Sequence, residues 1–150
     1  MYCVRFTVVF LLCLPAIGCQ TIPEAIPQAE AIVMEHPDSA VRLLQGIPAP
    51  AKNLSRRNYA RYALISTQAR WLAGENMIGD TLSDVALVYY STHTKDFARV
   101  HKAYYYAAKI ANLRHQPEIA MSLLLNSRQA LPAAGEWQRH YVVETWLGVF

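Results

Sequence analysis

Apolar side chains return every third or fourth residue through most of this chain, the spacing that gives a helix one buried face, and runs of β-branched residues are few. The pattern predicts an all-α fold. A first helix is expected from near Pro27, with Ala29, Ile32 and Val33 on one face. A second follows His36-Pro37-Asp38-Ser39 and carries Ala40, Val41, Leu44 and Ile47. Pro37 fixes the backbone angle at that break, and Asp38 or Ser39 can satisfy open amides of the second helix. Pro48-Ala49-Pro50-Ala51 reads as a stiff connector. Ser55 is the expected N-cap of a long helix with Tyr59, Tyr62, Ala63, Ser66, Ala69, Leu72 and Ala73 inward, ending at Gly74. Thr81-Leu82-Ser83-Asp84 has the form of a capping box for the next helix, which turns Leu82, Val85, Ala86 and Tyr89 inward. Helices from about Asp96 to Arg114 and from Pro117 to about Ala130 meet at His115-Gln116-Pro117. A last helix is expected from Gly135 to about Gly148, carrying Trp137, Tyr141, Val142, Trp146 and Leu147.

The helices that meet at His115 carry a recurring frame. Tyr104, Ala107, Ala108, Ala120, Leu124, Ser127 and Pro132 keep the order of aromatic, small and large positions of a tetratricopeptide repeat, a unit of about 34 residues. Ala86 and Tyr90 stand one such unit before Ala120 and Leu124. Tyr62, Ile65, Ser66 and Ala69 precede Tyr104, Ala107, Ala108 and Ala111 by a longer, constant interval, and Glu75 to Asp80 supplies the longer loop this needs. Ala40 and Leu44 repeat the small-large pair of Ala86 and Tyr90 nearer the start of the chain, and Gln138, Tyr141 and Val142 lie one unit past Tyr104, Ala107 and Ala108. Residues 27–150 therefore read as an α-α superhelix of antiparallel helix hairpins, against the alternative of an unrelated helical bundle. The last helix has no partner after it. It either caps the array, with Glu136, Gln138, Arg139, His140 and Glu144 outward, or the sequence is the front part of a longer chain.

Residues 1–18 have the build of a targeting segment: Arg5 supplies one positive charge, and Val8 to Leu14 is an unbroken apolar run. Ala16-Ile17-Gly18-Cys19 resembles the lipobox of bacterial lipoproteins, and that resemblance implies that Cys19 is lipidated on its sulfur and becomes the new N-terminus. A cleaved signal without lipid and an uncleaved anchor are the alternatives, the apolar run being short for a membrane span. With Cys3 and Cys13 inside the signal, Cys19 is the one cysteine of the mature chain, which leaves no internal disulfide. Residues 19–26 form a tether. His36 to Ala40, Tyr59 to Arg70, Ser83-Asp84, Val88-Tyr89-Tyr90 and Ala103 to Tyr106 together resemble the tetratricopeptide-repeat lipoproteins of the Bacteroidetes, over most of residues 15–130. The resemblance implies a lipid-anchored interaction scaffold at the bacterial cell envelope, at the outer membrane in preference to the inner, with a protein or peptide partner. Longer members of that family continue into a membrane span and a DNA-binding module. The alternative is therefore the N-terminal sensor part of a longer membrane-spanning regulator.

Composition narrows the chemistry. With 150 residues, 53% of them hydrophobic, the chain has room for one domain and a sizeable core. A formal net charge of +3 is too mild to point to nucleic acid. In repeat proteins of this kind the first helix of a pair lines a concave groove, and there Lys102, Tyr105, Lys109 and Asn112 are the candidate peptide-binding residues. The lysines could pair with carboxylates while the ring covers apolar side chains. A solvated helix face is the plain reading of the same residues. Lys52, Arg56, Arg57 and Arg61 form a second basic cluster, read as contact with anionic lipid or as ordinary solubility. The three consecutive tyrosines are expected in the core. His36, His93, His101, His115 and His140 are scattered without a His-Glu-x-x-His pattern, and glycine-rich phosphate loops are missing. The chain reads as a non-enzyme with no cofactor and no metal.

Overall fold

The computed structural model describes residues 22–130; the targeting segment, Cys19 and the expected last helix lie outside them. Within them all regular structure is helical: α1 (Ala25–Ile32), α2 (Pro37–Gln45), α3 (Pro50–Asn53), α4 (Arg56–Leu72), α5 (Leu82–Thr92), α6 (Phe97–Leu113) and α7 (Pro117–Ala130). The helix starts follow local chemistry, with two corrections to the expected caps and one to the connector. Pro37 opens α2, but neither Asp38 nor Ser39 caps it; the Ser39 hydroxyl instead accepts a 2.8 Å bond from Arg42. The proline connector folds as the single turn α3, closed by Asn53 Nδ2 donating to the Pro48 carbonyl at 2.8 Å. Thr81 makes no side-chain cap; Asp80 takes that role, its carboxylate accepting the Ser83 amide at 2.8 Å. Ser55 caps α4 as expected, and Asp96 caps α6 through the Arg99 amide. Helix α1 starts two residues before Pro27, which places the fully buried Ile26 inside it.

Both long helices end alike. At the end of α4 the amide of Glu75 reaches the Arg70 carbonyl and that of Gly74 reaches the Trp71 carbonyl. At the end of α6 Gln116 and His115 make the same two bonds to Ala111 and Asn112. This closure needs one residue with positive φ; Gly74 supplies it at 75° and His115 at 57°.

Packing follows chain order. Helix α1 packs on α2, α4 on α5 and α6 on α7; α2 and α5 each pack also on the long helix that follows, and α4 touches both α1 and α6. Helix α4 is thus enclosed, and its seven residues Ala63 to Ala69 are all buried, polar Ser66, Thr67 and Gln68 included. Its sequence could not show one apolar stripe, because it has no solvent side there. The small and large positions of the recurring frame are buried: Ala40 with Leu44, Ala86 with Tyr90 and Ala120 with Leu124, as well as Ala107, Ala108 and Ala111. Small residues let helix backbones approach closely while large ones fill the space beside them.

Candidate functional site

One carboxylate joins three helices. Glu30 on α1 accepts from Arg61 on α4, Nε to Oε2 at 2.8 Å, and from Arg99 on α6, Nε to Oε1 and Nη2 to Oε2 both at 3.0 Å. Arg99 also donates to Asp96, the cap of its own helix. Burial works against the Arg99 charge, but Glu30 and Asp96 more than offset it and hold the guanidinium pKa above its usual value. Further along both helices, by the same number of residues on each, Lys109 on α6 sits 5.0 Å from the ring centre of Trp71 on α4. Two matched contacts in the same order mean that α4 and α6 run in the same direction. The first members of three successive helix pairs therefore lie side by side on one face, to which the enclosed α4 contributes only its two ends.

The candidate groove residues lie along α6, in unequal settings. Lys102, one turn past Arg99, is half-buried, and burial lowers its pKa against the partial support of Glu30. Tyr105 is 4% exposed, so its ring is floor and not an open contact: Lys109 lies 5.2 Å above its centre. The Lys109 pKa is also lowered by burial. Asn112 is exposed at the far end. Tyr105 and Tyr106 are buried and Tyr104 is half-buried, so the tyrosine run packs inward. Of the second basic cluster, Lys52, Arg56 and Arg57 are exposed, while Arg61 turns in to Glu30.

Glu30, Arg99 and Trp71 are the members that sequence reasoning missed. The chain holds one trace of them. Arg61 to Arg99 and Trp71 to Lys109 span equal intervals, one helical turn short of the interval from Tyr62 to Tyr104. Side chains that meet across neighbouring helices are staggered from those that occupy equivalent positions. Glu30 left no such trace.

At the N-terminal ends of α4 and α6 this face opens into a cleft of about 830 Å³. Arg57, Arg61, Lys95 and Arg99 line it together with Ser55, Tyr89 and Thr94. Tyr90 forms part of its wall, its hydroxyl pushed up to about 12 mainly by burial. Ile22, the first described residue, lines the same cleft.

A second polar pair lies inside the molecule. His101 Nδ1 is 2.7 Å from the Ser127 hydroxyl, which also donates to the His101 carbonyl at 3.1 Å. With Nδ1–H donating to the hydroxyl, both groups are satisfied, and at 4% and 0% exposure they tie α6 to α7 out of reach of any substrate. Among the described residues no group of His, Cys, Asp or Glu side chains converges as a metal ion would require, and no helix is long and apolar enough to cross a membrane. The chain matches no protein-family model, no curated protein and no solved structure.

Proposed function

We propose that this protein is a lipid-anchored interaction scaffold of the tetratricopeptide-repeat type at the bacterial cell envelope, and that the face of α1, α4 and α6 receives a partner polypeptide. The carrying observation is that face. Three successive helix pairs set their first helices side by side, with α4 and α6 in the same direction. A stack of equivalent pairs has this geometry. Lys102 and Lys109 stand half-buried on it, with lowered pKa values and no carboxylate within ion-pairing distance among the described residues. An incoming carboxylate would relieve both. The lipid anchor is supported by the lipobox-like Ala16 to Cys19 at the end of the apolar run.

Two experiments test the two halves. Intact mass of the native protein from its own membranes should show a chain beginning at Cys19 and heavier by acyl groups, and Cys19→Ala should abolish the added mass; an unmodified mass would end the anchor reading. Affinity capture from solubilised membranes should recover a partner that Lys102→Glu with Lys109→Glu releases. A partner held equally by that double variant would place binding elsewhere on the molecule.

A further inference from the structure

The cleft at the start of α4 and α6 gathers its cations around one opening. Four cations line it, Arg57, Arg61, Lys95 and Arg99, against one lining carboxylate, Asp96; adding Glu30, held by Arg61 and Arg99, still leaves an excess of positive charge. The two inner arginines are committed to the resident carboxylates. Arg57 and Lys95 are exposed and have no ion-pair partner among the described residues, so the unbalanced charge sits at the outer part of the cleft.

We propose that this cleft binds the phosphate group of an anionic membrane-lipid headgroup. The proposal rests on the lipid-anchored reading of Cys19. The cleft volume of about 830 Å³ is ample for a headgroup, and the Ser55 and Thr94 hydroxyls add hydrogen-bond donors to the charges. The N-termini of α4 and α6 point there but are already capped by the Ser55 hydroxyl and the Asp96 carboxylate, so the exposed cations carry the site. Position supplies the source of the phosphate. Ile22 lines the cleft only three residues past Cys19, and three extended residues span at most about 11 Å. Acyl chains on Cys19 would hold the cleft within reach of the lipid surface. A headgroup presented there meets Arg57 and Lys95 without displacing Glu30.

The test uses the mature chain from residue 19 onward, made free of acyl groups by Cys19→Ala, and vesicles of phosphatidylcholine with or without phosphatidylglycerol. The anionic vesicles should retain the protein and the neutral ones should not. Arg57→Glu with Lys95→Glu should cut retention about tenfold or more, whereas Arg42→Glu with Arg128→Glu, the same charge change outside the cleft, should cost about twofold at most. Both pairs are exposed, and circular dichroism checks that each variant is folded. Equal losses for the two double variants would mean diffuse attraction and overturn the site, as would no retention on anionic vesicles. Binding of glycerol phosphate in solution without vesicle retention would assign the cleft to a soluble phosphate ester and overturn the lipid source. Displacement from vesicles by an acidic peptide but not by inorganic phosphate would assign the cleft to a polypeptide. Failure of the anchor reads out separately, as an unmodified native mass while the Cys19→Ala chain still floats with anionic vesicles.

Discussion

The second and third helix pairs turn back on themselves by different means. A long loop, 73–81, joins α4 to α5, and a short one, 114–116, joins α6 to α7. Both turns begin with the same pair of backbone bonds and a positive φ. The short turn needs nothing more, because Pro117 starts the next helix at once. The long one carries its own anchors. Met77 is 1% exposed, and the fully buried Asp80 carboxylate accepts from the Ser83 amide, from Arg70 Nη1 at 2.8 Å and from the Thr67 hydroxyl at 3.3 Å. Arg114, at the end of α6, donates to the carbonyls of Ile78 and Asp80 and so ties the long loop to the following pair. A helix pair can lengthen its turn without loosening when the added residues bring a core side chain and a carboxylate with fixed donors.

Breaking that anchor should have the largest effect. Asp80→Ala leaves Thr67 and the Ser83 amide unsatisfied in the interior and removes the Arg70 partner, which should lower the unfolding free energy by about 3 kcal/mol in urea titrations. Hydrogen exchange should show α5 losing protection before α7. A cost under about 1 kcal/mol would mean that the long turn is held by other contacts.

The α6–α7 pair depends on His101 and Ser127 instead. Ser127→Ala should cost about 1–2 kcal/mol, since it removes the hydroxyl that accepts from the buried His101 Nδ1–H. Burial holds the His101 pKa below its ordinary value of 6.5, with the Ser127 carbonyl working the other way and the Lys102 charge adding to the depression. The folded state thus keeps a neutral imidazole where the unfolded chain takes a proton. Its stabilising contribution is complete above about pH 6.5 and drains away as pH falls below that, until the lower folded pKa is reached. Urea midpoints at pH 7.5 and pH 5 should separate more for the wild-type chain than for His101→Gln.

The smallest effects sharpen the likeness of the two helix ends. Gly74 has open space where a Cβ would sit, so Gly74→Ala meets only the strain of its positive φ and should cost about 1 kcal/mol. His115→Gly should gain about 0.5 kcal/mol at the equivalent place. The same sign for both substitutions would mean that the two closures are not equivalent.

How much of this was legible in the sequence depended on whether a feature lives within one helix or between helices. The frame of small and large positions marked the core, and Ser55, Asp96 and Gly74 marked three helix ends, because each works through bonds to its own neighbours. Asp80 was hidden behind Thr81 to Asp84, whose spacing imitates a capping box while the buried carboxylate one residue earlier does the capping. Helix α4 showed no clean face because it is enclosed. Glu30 was invisible: its role depends on two arginines far along the chain, on α4 and α6, and no local pattern encodes them.

The most direct test of the binding face is photo-crosslinking in native membranes, from a photoreactive residue placed at position 102 or 109 and from one at the exposed Ser122 of α7. A polypeptide joined to positions 102 and 109 and not to position 122 is the expected result. The same polypeptide joined from position 122 alone would contradict the assignment of the partner to the face of α1, α4 and α6.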